Sequence, residues 1–183
     1  MPSDSTMYVV YWDGYGRDTY LYGSSLAFQR DGTVLFENER MPSGFSIKKW
    51  TSRTSFQHDR CEPSLPLLKE GRRYVVKACM HVVPEGTVLL RVEFFDRQRK
   101  RISFRFLDEE DFTFEVPQGT WYYSMELIAS GFQRLIFYGI LLGPDTSVMR
   151  GTLREWDAEN FTEMAAQIDR RRMFWPLEEN GNE

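Results

Sequence analysis

Apolar and polar positions alternate with a period of two through the middle of this chain. From Tyr74 to Val82 one parity reads Tyr74, Val76, Ala78, Met80, Val82, and the other carries Lys77 and His81. Val88, Leu90, Val92 and Phe94 oppose Arg91 and Glu93, and Ile102, Phe104 and Phe106 oppose Arg101, Ser103 and Arg105. Phe112, Phe114 and Val116 follow, then Trp121, Tyr123, Met125 and Leu127. Each run predicts a half-buried strand whose apolar parity, Phe104 and Trp121 included, faces a core. The turn-prone clusters Pro84-Glu85-Gly86, Asp96–Arg99, Asp108–Glu110 and Pro117-Gln118-Gly119 separate them. Short strands at close spacing with no helix between them imply antiparallel pairing in a sandwich or jelly roll.

The first seventy residues are less regular. Tyr8–Trp12, Thr33–Glu37 and Phe45–Thr51 read as strands. In the last, Phe45 and Ile47 share a parity that Trp50 does not, so either a bulge intervenes or Trp50 points away from the core. Two prolines in Glu62–Pro66 exclude a regular helix and suggest a packed crossing between sheets. The pattern changes after Gly143-Pro144. Phe161, Met164, Ala165 and Ile168 share one helical face, which predicts an amphipathic helix over about 158–173. Asp157 serves as its N-cap, Trp156 staples to Phe161, and Arg170–Arg172 meet the negative end of the dipole. The expected division is therefore a sandwich domain over 1–143 and a helical extension over 144–183.

Composition adds to this picture in two places. Aromatic residues make up 15% of the 183 residues, far more than a disordered chain carries. The formal net charge is −4, which argues against a nucleic-acid partner. That excess lies wholly in residues 144–183, which hold 5 basic and 9 acidic groups, whereas residues 1–143 hold 18 of each. The densest apolar run, Leu135–Leu142, is far shorter than the ~20 residues of a membrane helix. Met1–Thr6 lacks the features of a signal peptide, and two cysteines suit a reduced compartment.

Catalytic signals are weak. Cys79 and His81 share the outer parity of one strand, yet a buried cysteine is more often inert packing than a nucleophile. His58-Asp59 and Cys61 lack a second pair at zinc spacing. The acidic run Asp108–Asp111 lacks the alternating ligands of a calcium loop and reads as a solvated turn. Arg97–Arg101 forms a basic hairpin tip suited to an acidic partner or an anionic membrane surface. No metal, cofactor or catalytic residue is assigned. Tyr22, Trp12 and Trp50 lie near Glu37-Asn38 in sequence, and such rings and polar groups together suit a sugar.

One ordered series is more specific. Tyr20-Leu21-Tyr22-Gly23-Ser24, Phe36-Glu37-Asn38 and Met41-Pro42-Ser43-Gly44 precede Ile47, Trp50 and Ser52. Leu65-Pro66-Leu67-Leu68, Tyr74, Phe94-Phe95-Asp96-Arg97 and Glu126–Gly131 follow. Over roughly Met7–Gly143 this series resembles the third family of accessory secretory proteins in the accessory Sec system of Gram-positive bacteria. The resemblance implies a carbohydrate-binding-module-like sandwich that does no chemistry. It implies a scaffold or chaperone that binds companion accessory secretory proteins, the accessory motor ATPase and serine-rich-repeat glycoprotein adhesins. Self-association as a homodimer and a cytoplasmic location, peripheral at the inner face of the membrane, are expected with it. The alternative reading is a module that recognises N-acetylglucosamine on the adhesin. Tyr22, Glu37, Asn38, Met41, Pro42, Ser43, Gly44 and Trp50 are the expected recognition residues. The Met41–Gly44 block also reads as a type I turn, with Pro at its second position and Gly at its fourth. The tail beyond Gly143 departs from the family pattern.

Overall fold

The structure, a computed structural model, describes residues 6–12, 18–53, 64–166 and 174–176. His58, Asp59, Cys61 and Arg170–Arg172 lie outside these. The described chain folds as an antiparallel β-sandwich. Its smaller sheet runs β4 (Ser46–Thr51), β9 (Tyr122–Ala129), β6 (Val88–Phe95), β7 (Arg101–Leu107). The larger sheet is organised around β10 (Arg134–Pro144). One edge of β10 pairs along its length with β5 (Arg73–Val83), which in turn pairs with β8 (Thr113–Glu115). Its other edge is divided. Residues 134–137 pair with β3 (Val34–Glu37), which continues to β2 (Ser25–Phe28), and residues 140–142 pair with β1 (Thr6–Val10), which continues to β11 (Phe174–Pro176).

Burial on both faces explains the composition of β10. Leu135 and Phe137 point into the space between the sheets, and so do Ile140 and Leu142. The parity changes because the register shifts between Phe137 and Gly139, a bulge that turns the strand half a step. Leu141, on the opposite parity, reaches a second core outside the sheet. A strand buried on both faces reads as a continuous apolar run, which is what Leu135–Leu142 is.

The inner core joins the expected parities of β5, β6 and β9, with Val76, Val92 and Met125 all buried. Two expectations fail here. Ile102, Phe104 and Phe106 are 39%, 47% and 43% exposed, because β7 pairs in a register that sets Phe104 opposite Glu93 and Phe106 opposite Arg91, on the outer face. Trp121 is 61% exposed, since it precedes β9 and lies under the Arg97 guanidinium, 4.4 Å from its ring centroid. The crossing between sheets is as expected over its described part. Leu65 and Pro66 are buried on the way from β4 to β5, and the Tyr123 hydroxyl donates to the Pro66 carbonyl at 2.6 Å.

The tail is packed onto the larger sheet. Helix α1 (Ser147–Glu155), absent from the sequence reading, starts where the Thr146 hydroxyl accepts from the Met149 N–H at 3.1 Å. It ends over β5, where the Lys77 ammonium donates to the carbonyls of Leu153 and Trp156 at 3.0 and 2.5 Å. A cation so placed satisfies carbonyls that the helix leaves open and meets its negative end. Helix α2 (Phe161–Ala166) follows a turn in which Asp157 Oδ1 accepts from the N–H groups of Glu159 and Asn160. Trp156 and Phe161 meet edge to face at 5.4 Å as expected, but the helix begins at Phe161 rather than near Ala158, so Asp157 caps the preceding turn and the contact is not a staple across a first helical turn. Met149, Leu153, Trp156 and Phe161 bury against Met7, Val9, Val75, Cys79 and Leu141. Glycine makes this docking possible. A Cβ on Gly139 would lie 2.5 Å from Phe161, and one on Gly143 would lie 2.6 Å from Met149.

Candidate functional site

The segment before β2 is folded against β4. Thr19 forms a bridge with Lys48, and the Tyr20 N–H donates to the Ile47 carbonyl at 2.9 Å. A tight turn follows, closed by the Ser24 N–H on the Leu21 carbonyl, with Gly23 in the left-handed region at φ +68°. Asn38, at the end of β3, holds this turn. Its amide donates to the Tyr22 carbonyl at 3.0 Å and to the Ser24 hydroxyl at 2.9 Å, and its Oδ1 accepts from the Arg40 N–H at 3.1 Å. The Tyr22 side chain, 85% exposed, thus projects from a backbone pinned on two sides. A cleft of about 740 Å³ opens beside it.

Glu37, Asn38, Glu39, Arg40 and Pro42 line the cleft, with Tyr20, Val83, Gln133 and Arg134 opposite or beneath them. Glu37 accepts from the Arg134 Nε at 2.9 Å across the β3–β10 pair. The next residues form a turn one position later than the sequence suggests. The Phe45 N–H reaches the Pro42 carbonyl at 3.4 Å, and Gly44 sits third in the turn at φ +90°, which favours the type II form. Gly44 donates to the Ala129 carbonyl at 2.7 Å, so the turn is stitched to the end of β9.

Of the eight residues singled out by sequence, Tyr22, Glu37, Asn38 and Pro42 line this cleft. Ser43 and Gly44 are exposed on the adjoining turn, and Met41 is buried beneath it. Trp50 is not a surface residue. It is 2% exposed, and its indole N–H donates to the Tyr11 carbonyl at 3.0 Å. A register shift between Ser46 and Lys48 turns Trp50 inward, which settles the parity conflict in favour of a bulge. Trp12 is buried beside it, so two of the three rings considered for a sugar belong to the core. The same shift buries Lys48 against these two indoles, 5.9 and 5.8 Å from their centroids, where its ammonium donates to Asp18 Oδ2 at 2.7 Å.

A second feature, on the outer face of the smaller sheet, was missed by the sequence reading. Glu93 and Glu126 are only 6% and 5% exposed although both point away from the core. Arg91 bridges them at 2.9 and 3.2 Å, and Arg101 holds the other oxygen of Glu93 at 3.2 Å. Burial and the adjacent Glu93 carboxyl raise the pKa of Glu126. For Glu93 burial acts upward, but its hydrogen bond with Glu126 and the two arginines outweigh it and lower the pKa. Of the two carboxyls, Glu126 therefore holds a proton more tightly than Glu93. Phe95 and Tyr122 stack beside the pair at 4.7 Å and 9°. Charges at alternating positions hinted at this face, but the cross-strand register that assembles it is not written locally.

Cys79 and His81 form no reactive pair. Cys79 is buried under the tail helices, where loss of solvent pushes its thiol up to about 12. His81 is exposed and meets the edge of the Tyr138 ring. In the acidic run, Asp108 accepts from the backbone of Glu110 and Asp111, and Asp111 grips Arg105 with both oxygens at 3.0 and 2.8 Å. No helix among the described residues is long and apolar enough to cross a membrane.

Comparison with known proteins places the chain. Residues 19–143 match the family model described as Accessory Sec secretory system ASP3. The curated accessory Sec protein of that name from Streptococcus gordonii is 38% identical over 120 residues, covering 66% of this chain and 76% of the relative. Its namesake in Staphylococcus aureus is 28% identical over 128 residues, 70% of this chain and 40% of that relative's length. Among solved structures, a chain from the crystal structure of accessory secretory proteins 1, 2 and 3 of Streptococcus pneumoniae is similar with a TM-score of 0.71 at 30% identity. It covers 75% of this chain and 96% of its own. A chain of the glycosylation-associated protein complex (Gap123) of Streptococcus agalactiae gives 0.70 at 30% identity, with 78% and 46% covered. The matched segment runs from the bridge at Thr19 to the end of β10 at Gly143 and so contains the cleft, the whole smaller sheet, the larger sheet apart from β1 and β11, and the carboxylate pair: the chain belongs to this accessory Sec family.

Proposed function

We propose that this protein is a non-catalytic adaptor of accessory Sec export. It joins companion accessory secretory proteins to the accessory motor ATPase and to serine-rich-repeat adhesins, and it associates with itself. Its place is the cytoplasm and the inner face of the membrane. The observation that carries this reading is the cleft rim. Tyr22 and the Pro42–Gly44 turn are exposed recognition groups on backbone fixed by Asn38 and by the end of β9. Conserving conformational entropy in this way favours binding, because a fixed loop has less freedom to lose. Two similar chains come from structures of complexes with accessory secretory or glycosylation-associated proteins, which supports the same reading. Adaptor work needs such loops on a stable frame and no reactive group.

Capture experiments with the companion subunits and the motor test it. Wild-type protein is expected to retain at least one of them. Tyr22→Ala, which removes an exposed anchor without touching the core, is expected to weaken that capture about tenfold. Failure of the wild type to hold any companion would sink the adaptor reading. Undiminished capture by Tyr22→Ala would move the contact away from the cleft.

A further inference from the structure

Among the described residues, strand β7 is the open edge of the smaller sheet and pairs with β6 alone. Residues 101–106 are all exposed, and among the described residues no strand other than β6 pairs with them. Natural edges are usually kept from pairing by shortness, proline or charge along the strand. This one has seven residues, no proline, and Ile102, Phe104 and Phe106 on its outer face. Between its end residues Arg101 and Leu107, Arg105 is the charge, and that guanidinium is already bound by Asp111. The remaining charge gathers at the two ends. Arg97, Arg99, Lys100 and Arg101 stand at the start, and Asp108, Glu109, Glu110 and Asp111 follow the finish.

We propose that β7 pairs antiparallel with β7 of a second copy of this chain across a twofold axis, joining two four-stranded sheets into one. This deepens the self-association proposed above by giving it a surface. A twofold contact must be complementary to itself. The charge order of β7 meets that condition: reversing one strand sets each basic end beside an acidic end, at both ends of the contact. A parallel neighbour would set like charge against like. Pairing even-numbered residues with even-numbered ones keeps Phe104 and Phe106 of both copies on one face, where the exposed rings join into a continuous apolar strip. The open N–H and C=O groups of each edge find partners in the other. An acidic extended peptide suits the basic end alone and meets repulsion at Asp108–Asp111, so the second copy is the better fit.

Sedimentation of the full chain tests this through a charge swap. Wild-type protein is expected to dimerise with concentration and to weaken with added salt. Glu109→Lys/Glu110→Lys cancels the charge of the acidic end, and Arg99→Glu/Lys100→Glu cancels that of the basic end, so that only a mixed pair still sets one intact basic end beside one intact acidic end. All four side chains are exposed in turns. Each double variant alone is expected to dimerise at least about tenfold more weakly, and an equal mixture of the two should recover heterodimer to within about threefold of wild type. Phe104→Lys, a charge in the middle of the edge, is expected to dissociate the dimer as well. A wild-type chain that stays monomeric at its highest soluble concentration overturns self-association and this surface together. A dimer that survives both swaps and Phe104→Lys, or swapped chains that fail to recover on mixing, overturns the β7 pairing while self-association stands. A monomeric chain that instead binds an acidic peptide along β7 overturns it too.

Discussion

The two sheets of this sandwich treat their outer faces in opposite ways. The larger sheet is covered: Val75, Cys79 and Leu141 lie beneath Met149, Leu153 and Trp156 of the tail, and the contact is apolar. No described element covers the smaller sheet, whose outer face carries Arg91, Glu93 and Glu126 with the rings of Phe104 and Phe106 at its edge. Alternation hides one side chain and shows the next on both sheets, so the difference lies in what the second parity contains. Where it is apolar, the chain had to supply a cover. Where it is ionic, the charges bury one another and the face stays available for contacts. The covered face serves stability and the bare one is free to serve recognition.

Removing Trp156 tests the covered side most severely. It is nearly fully buried and packs edge to face on Phe161 at 5.4 Å. Trp156→Ala is expected to cost about 3–5 kcal/mol in urea or thermal unfolding, the range for deleting a large buried ring. A cost below about 1 kcal/mol would mean that the tail adds little to the stability of the sheet.

The contrast also marks what the sequence could convey. Strands with one wet face announce themselves, and β5, β6 and β9 follow their alternation into the inner core. Strand β10 does not alternate, because both faces are buried and a bulge at Gly139 exchanges its parity midway. Helix α1 is short and has Gly151 in its middle, yet Met149, Leu153 and Trp156 already stand at helical spacing. The wrong face given to Phe104 and the face left open at Trp50 share a cause. Parity within a strand does not say which face the partner strand presents, and a bulge such as that between Ser46 and Lys48 reverses it. For the site, the motif series found the cleft residues Tyr22, Glu37, Asn38 and Pro42, but it also gathered Trp50 and Met41, which support the surface from below. Family motifs mix residues that make contact with residues that hold the shape.

Glu126 sharpens the bare side through pH. Its folded pKa lies above the ordinary value of 4.5, so the folded chain binds this proton more tightly than the unfolded one. The resulting stability is fully present below 4.5 and is lost as pH rises through the folded pKa. Glu93, whose pKa is lowered, contributes in the opposite sense, and its share is complete above its ordinary value of 4.5 and lost only as pH falls through its folded pKa. Above 4.5 the proton on Glu126 therefore controls the trend. The urea midpoint of the wild type is expected to decline toward neutral pH relative to that of Glu126→Gln. Parallel curves would show that the two carboxyls do not share a proton.

The smallest effect is the most direct check on which way β7 faces. Phe104 lies on the outer face with the Arg101 guanidinium 4.7 Å from its centroid. An exposed contact of that kind is worth about 0.5–1 kcal/mol. Phe104→Ser in dilute protein is accordingly expected to shift unfolding by less than about 1 kcal/mol. Phe94, buried on the inner face of the adjacent strand, would cost about 3–5 kcal/mol if cut to Ala. Were Phe104 turned inward as simple alternation suggests, its loss would fall in that larger range. A small shift means that the ring is kept for something other than holding this chain folded, and an edge that pairs with another copy gives it that use.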